Sequence, residues 1–159
     1  MSKFHLRTET ILQGDFKIQP LNLILIFQVN CPGCFIYALP LAAKLHQRYG
    51  AYINVLGLST AFEDFELNTA ANTQKLLQTG EMIGFTRQYF QKRGTFRYDT
   101  PLEFPVAFDR ETFTLNPLQG TPSWVLFDAD YNTLGGWFGH KSEAEINAVL
   151  EPFIEKHSA

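Results

Sequence analysis

Both cysteines of this chain fall within four residues, Cys31-Pro32-Gly33-Cys34, and the quartet stands between a short apolar run and a segment of helical period. Asn22 to Phe27 reads Asn-Leu-Ile-Leu-Ile-Phe, a nearly continuous apolar stretch that predicts a strand buried on both faces. From Phe35 to Tyr49 the residues Leu39, Ala42, Ala43 and Leu45 recur at helical spacing, and Gly50 is expected to end that helix as a left-handed terminal glycine. Tyr52 to Leu58 is a second apolar strand. Strand, helix, strand requires a parallel pairing with a right-handed crossover, which removes most alternative topologies.

The remainder continues the alternation. Ser59 to Asn68 is polar and aromatic and is taken as a loop; Thr69 to Phe90 is largely helical with a break near Gly80 or Gly84; Arg93 to Thr100 is again a loop. Phe104 to Asp109 predicts a short strand. Pro105 cannot donate to a ladder, so that strand is expected to lie at an edge or to begin there. Ser123 to Phe127 and Thr133 to Phe138 flank the turn-rich Asp128-Ala129-Asp130-Tyr131-Asn132 and predict a hairpin. Ser142 is the expected cap of a last helix. Glu143 and Glu145 lie in its first turn, and Ile146, Val149, Leu150, Phe153 and Ile154 form its apolar stripe.

With 159 residues, 45% hydrophobic and 18% charged, the chain has the length and composition of one folded domain, taken as 1–159. Lys and Arg total 13 against 16 Asp and Glu, so no basic field favours nucleic acid. Arg87, Lys92, Arg93 and Arg97 do interleave with Tyr89, Phe90, Phe96 and Tyr98, but that pattern reads as a solvated helix face and loop. Leu21 to Val29, interrupted by Asn22 and Gln28, is far short of the ~20 apolar residues needed to cross a bilayer. No basic region followed by an apolar core opens the chain, so a cytoplasmic location is expected.

Two cysteines placed at random in this chain fall three apart roughly one time in eighty, so the C-x-x-C spacing carries weight. A structural disulfide over so short a loop would constrain the unfolded chain little. A zinc site needs about four ligands, and His5, His46, His140 and His157 show no paired spacing. A redox dithiol is the third possibility, and its context decides among them.

That context resembles the thioredoxin-like superfamily. C-x-x-C at the first helix of a βαβ unit, a later hairpin and a final helix follow its order. Gly120-Thr121-Pro122-Ser123 sits where such proteins carry a cis-proline. Val55-Leu56-Gly57-Leu58-Ser59, Phe104 to Asp109 and Gly120 to Asp128 are similar to the redoxin branch, which holds TlpA-like thiol–disulfide oxidoreductases and the alkyl hydroperoxide reductase/thiol-specific antioxidant proteins. The similarity runs from about Leu21 to Ile154. It implies an α/β thioredoxin-like fold, with a central mixed sheet flanked by helices and an insertion between the second βαβ strand and the C-terminal hairpin. The chain departs from the pattern at several points. Asn30 replaces the usual Trp, Pro32-Gly33 reverses the usual Gly-Pro, Pro40 falls one residue later than the usual helix proline, and Leu25 occupies the position of a frequent buried acid.

The resemblance implies a thiol–disulfide oxidoreductase. Cys31, at a helix N-terminus that favours a thiolate, attacks; Cys34, one turn in, resolves the mixed disulfide. Asn30, Pro32 and Gly33 complete the active-site loop, Pro32 at a first-turn position and Gly33 open to a partner's backbone. A cis Thr121–Pro122 bond would face the dithiol, and the Thr121 backbone would pair with extended substrate. No cofactor and no metal ion is expected. The implied partners are a disulfide-bearing protein or small thiol and a thiol reductase as electron donor, with neither nucleic acid nor membrane. Phe35 and Tyr37 are expected in helix packing, Trp124 and Trp137 in the core or half-core, and His140 at the surface. Glu63, Asp64 and Glu66 form an acidic loop cluster. Two other functions stand beside the first. A peroxiredoxin-like peroxidase ranks second because the Pro-x-x-x-Thr-x-x-Cys approach is missing from Ile24 to Cys31. A non-enzymatic binding or redox-sensing module is the third, since fold does not fix function.

Overall fold

A computed structural model of the chain describes residues 2–158; Met1 and Ala159, the outer limits of the expected domain, lie outside the described residues. The elements in chain order are β1 (Thr10–Gln13), β2 (Leu21–Phe27), α1 (Leu39–Tyr49), β3 (Asn54–Ser59), α2 (Ala70–Thr79), α3 (Gly84–Gln91), β4 (Val106–Phe108), α4 (Glu111–Leu115), β5 (Ser123–Asp128), β6 (Thr133–Phe138) and α5 (Glu143–Ser158). The six strands form one mixed sheet in the order β1-β4-β3-β2-β5-β6. β2 pairs parallel with β3, from Asn22 opposite Asn54 to Phe27 opposite Ser59, and antiparallel with β5. β5 and β6 form the expected hairpin.

β2 is buried along its whole length, as its unbroken apolar text requires. Its side chains alternate between two apolar clusters. Leu21, Leu23, Leu25 and Phe27 meet Leu39, Ala42 and Leu45 of α1 and Ile146 and Leu150 of α5. Ile24 and Ile26 face the other way, joining Leu56, Leu58, Val125 and Phe127, over which Phe16, Ile18 and Phe113 lie. A period of two thus divides one strand between two cores.

Several expectations need correction. The strand after Pro105 does begin there, but β4 is not an edge: β1 pairs with it antiparallel and covers it. Pro105 contributes its carbonyl, which accepts from the Gly57 amide at 2.8 Å. The sequence reading missed β1 because its four residues, two exposed and two half-buried, carry no apolar alternation. It missed α4 because five residues give no helical period. Gly50 ends α1 yet stays right-handed, at φ −57°, so its role there is not a left-handed turn. A Cβ there would instead overlap the His46 carbonyl. The break in the second helical stretch falls at both expected glycines: Gly80 caps α2 at φ 76°, and Gly84 opens α3. Ser142 and Glu145 form a reciprocal cap at the start of α5. Among the described residues, no helix is long and apolar enough to cross a membrane.

Candidate active site

β2 delivers Gln28, Val29 and Asn30 to the C-terminal end of the central parallel pair, and Cys31 follows directly. The helical backbone starts at Pro32, so Cys31 stands at its N-terminal end. Cys31 is half-buried, whereas Cys34 is fully buried among the α1 contacts. The two sulfurs are joined as a disulfide, with Cα atoms 5.4 Å apart. The Cys31 amide donates to Thr86 Oγ1 at 3.0 Å, and the Cys34 amide donates to the Cys31 carbonyl at 3.0 Å. Gly33 has open space where a Cβ would stand.

The first turn after the pair is wider than an α-turn. Cys34 to Ala38 form a π-helical turn, closed by the Leu39 amide donating to the Cys34 carbonyl. Pro40 accounts for this, because it has no amide to return to the preceding turn. The Phe35 carbonyl accepts instead from the Tyr98 hydroxyl at 2.8 Å. Burial pushes the Tyr98 phenol up to about 12, with Asp99 adding to the rise and a hydrogen bond with Thr100 opposing it.

The Thr121–Pro122 bond is cis. It places Thr121 beside the cysteine pair, with its carbonyl oxygen 3.8 Å and its hydroxyl oxygen 3.7 Å from Cys31 Sγ. Next to it, a pocket of about 240 Å³ is lined by Gly33, Tyr37, Leu41, Pro122, Trp124 and His140, among others. Phe35 is packed as expected, but Tyr37 is exposed and tilts over the His140 ring at 4.6 Å. Trp124 is buried and stacks on the half-buried Trp137. A larger pocket of about 460 Å³ lies along the β5–β6 hairpin and includes none of Cys31, Cys34 and Thr121 in its lining.

The segment between β3 and β4 closes on the same loop through buried amides. Asn30 donates its main-chain amide to Asn68 Oδ1 at 2.8 Å and its Nδ2 to Asp64 at 2.9 Å, and its Oδ1 accepts from the Phe85 amide at 2.7 Å. Asn68 donates to Gln28 Oε1 at 3.0 Å and to the Glu63 carbonyl at 2.8 Å. Gln28 donates to Thr121 Oγ1 at 3.1 Å. Of the acidic cluster, Asp64 therefore reaches the site by its side chain and Glu63 by its backbone. Arg93, in the turn just past α3, lies over the Tyr89 ring at 3.5 Å. Among the described residues, no three His, Cys, Asp or Glu side chains gather to hold a metal.

Solved structures share this arrangement of elements. A protein of the thioredoxin-like superfamily is 23% identical, with 96% of each chain covered and a TM-score of 0.72. A thiol-disulfide isomerase from Corynebacterium glutamicum is 22% identical, again with 96% of each chain covered, at a TM-score of 0.73. A secreted Mycobacterium tuberculosis disulfide oxidoreductase, homologous to E. coli DsbE, is 14% identical over 89% of this chain and 84% of that one, at 0.53. The fold is thioredoxin-like. No family model and no curated protein sequence matches the chain.

Within the thioredoxin-like fold, the expected loop residues Asn30, Cys31, Pro32, Gly33 and Cys34 and the pair Thr121 and Pro122 come together at one end of the sheet. Sequence reading did not assign Gln28, Asn68, Thr86 or Tyr98 to this region. Gln28 alone left a visible signal, a polar residue interrupting the apolar stretch from Leu21 to Val29. The others lie 38 to 63 residues from their partners, across contacts that only the fold creates.

Proposed function

We propose that this chain is a thiol–disulfide oxidoreductase. The observation that carries the proposal is the asymmetric pair: one half-buried sulfur at a helix start, closed in a disulfide with a fully buried one, beside a cis-proline peptide. The thiolate of Cys31 attacks one sulfur of a substrate disulfide, and the other substrate sulfur leaves as a thiolate that takes a proton. Cys34 loses its proton and attacks Cys31 in the mixed disulfide, releasing the second substrate thiol. Two electrons pass from the dithiol to the substrate, and the Cys31–Cys34 disulfide remains. A thiol reductase then returns the pair to the dithiol. Thr121 and Pro122 bind substrate backbone, and Asn30, Pro32 and Gly33 shape the loop.

Activities carried by similar structures, a thiol-disulfide isomerase and a disulfide oxidoreductase, support this assignment. The substrates are disulfide-bearing proteins or small thiols. Residues 1–159 act as one thioredoxin-like domain, because both apolar clusters pack on one sheet. A cytoplasmic site of action fits a chain with no cysteine outside the pair, which leaves no structural disulfide to protect from reduction.

The test is an equilibrium titration of the pair in dithiothreitol buffers, read by thiol alkylation. Reversible two-electron behaviour between roughly −270 and −180 mV is expected, the span from thioredoxin to disulfide isomerase. A pair that never closes on itself in solution removes the proposal. Peroxide consumption dependent on Cys31, without disulfide exchange, would replace it with the peroxidase function.

A further inference from the structure

The hydrogen bonds around Cys31 have a direction as well as a length. Two main-chain amides set it. The Asn30 amide reaches one end of the Asn68 side chain at 2.8 Å, so that end is oxygen and the other is nitrogen. The Phe62 amide reaches one end of the Gln28 side chain at 3.2 Å, and the Asn68 nitrogen reaches the same atom at 3.0 Å. Two donors converge there, so that atom is the Gln28 oxygen and its nitrogen faces the other way. The nitrogen meets Thr121 Oγ1 at 3.1 Å and can only donate to it. The Thr121 hydroxyl accepts from Gln28 and keeps its own proton for another partner, and Cys31 Sγ stands 3.7 Å away.

We infer that Gln28 is a positioning residue, which aims the Thr121 hydroxyl proton at the Cys31 sulfur and so stabilises the attacking thiolate. The inference rests on the proposed disulfide exchange and names the device that activates its nucleophile. Two nearby main-chain donors are engaged elsewhere: the Cys31 amide serves Thr86, and the Cys34 amide serves the Cys31 carbonyl. No His, Lys or Arg lies between the cysteines. Gln28 is buried and its orientation is fixed at both ends, so the Thr121 proton is directed before any substrate arrives.

The experiment reads the Cys31 pKa in the Cys34→Ser background, from ultraviolet thiolate absorbance and from the pH dependence of iodoacetamide alkylation. Thr121→Val removes the donor and is expected to raise the pKa by about one unit, cutting the thiolate fraction at fixed pH about tenfold. Thr121→Ser keeps the hydroxyl and the parent value. Gln28→Glu keeps the oxygen that Phe62 and Asn68 need, but its second oxygen accepts and pulls the Thr121 proton from the sulfur. It is expected to raise the pKa more with Thr121 present than with Val at 121, where only its charge acts. A parent-like pKa in Thr121→Val, or an equal Gln28→Glu shift in both backgrounds, overturns the inference. Should Gln28→Glu not fold, Gln28→Met removes the donor without adding charge; a rise that vanishes in Thr121→Val supports the relay, and an equal rise in both overturns it. Insulin reduction by the unaltered chain separates the two proposals. Shifts as expected in a chain inactive in exchange keep the relay and remove the function; unmoved pKa values in an active chain do the reverse.

Discussion

The hydroxyl of Tyr98 donates to the main-chain carbonyl of Phe35 across 2.8 Å, joining a loop beyond α3 to the first turn after the cysteine pair. Pro40 has no amide and the Leu39 amide serves Cys34, so this carbonyl relies on a side chain brought from 63 residues away. Tyr98→Phe leaves a buried acceptor without its donor. It is expected to lower unfolding stability by about 1–3 kcal/mol, measured as a lowered denaturant midpoint at unchanged slope.

The same phenol makes stability depend on alkaline pH. Its folded pKa lies above the ordinary 10.0, at about 12, chiefly through burial. The folded state therefore holds its proton more tightly than the unfolded state. The resulting stability is complete below pH 10.0 and is lost as pH rises through about 12. Urea titrations over that window are expected to fall more steeply for the parent than for Tyr98→Phe. Parallel curves would mean that the phenol ionises as freely in the folded chain as in the unfolded one.

Gly84 opens α3 at φ 53°, and a Cβ there would overlap Asn30 Oδ1. Gly84→Ala meets both a left-handed backbone and a rigid, buried neighbour. A loss of more than about 1 kcal/mol is expected. Because Asn30 Oδ1 also accepts from Phe85, hydrogen exchange at the start of α3 is expected to speed up in this variant.

The proposed roles of the two sulfurs predict opposite outcomes for single substitutions. Cys31→Ser is expected to abolish insulin reduction to background. Cys34→Ser is expected to stop turnover while accumulating a mixed disulfide through Cys31, visible as a mass addition that dithiothreitol removes. An adduct on Cys34 in the Cys31→Ser protein, at a similar rate, would reverse the assignment, against the full burial of Cys34.

The sheet was legible because its central strands are written in uninterrupted apolar text and its turns in glycine, proline and aspartate. Leu21–Phe27, Asn54–Ser59 and the hairpin from Ser123 fall where the sequence places strands, within a few residues. The cysteine pair and the Thr-Pro pair were legible as motifs. What periodicity does not encode is a polar contact between segments distant in sequence. Asn68 and Thr86 are ordinary polar residues until the chain folds them against Asn30 and Cys31. β1 was lost for a related reason: Thr10–Gln13 is a strand because β4 offers it a ladder, not because its side chains alternate.

Asn30 shows how far the site has moved from the pattern that it resembles. Where a Trp is usual, this chain buries an asparagine that makes three hydrogen bonds, through its main-chain amide to Asn68 and through its side chain to Asp64 and the Phe85 amide. Two of them run through its side chain and hold the segment between β3 and β4 over the cysteine loop. Asn30→Trp would delete both and drive an indole toward Gly84, which already lacks room for a Cβ against Asn30 Oδ1. Overpacking alone typically costs about 1–3 kcal/mol, and the Phe85 amide would lose its acceptor as well. Restoring the usual residue is therefore expected to destabilise the protein rather than improve it. The loss should appear as faster exchange at Phe85 and a lowered denaturant midpoint. Asn30→Asp, which keeps an acceptor for Phe85 but sets a carboxylate against Asp64, is expected to recover part of that loss below the ordinary carboxylate range and little of it at neutral pH. A Trp variant as stable as the parent would mean that the Asn30 side chain is a bystander and that the segment is held by its other contacts, those of Asn68, Thr86 and Tyr98 among them.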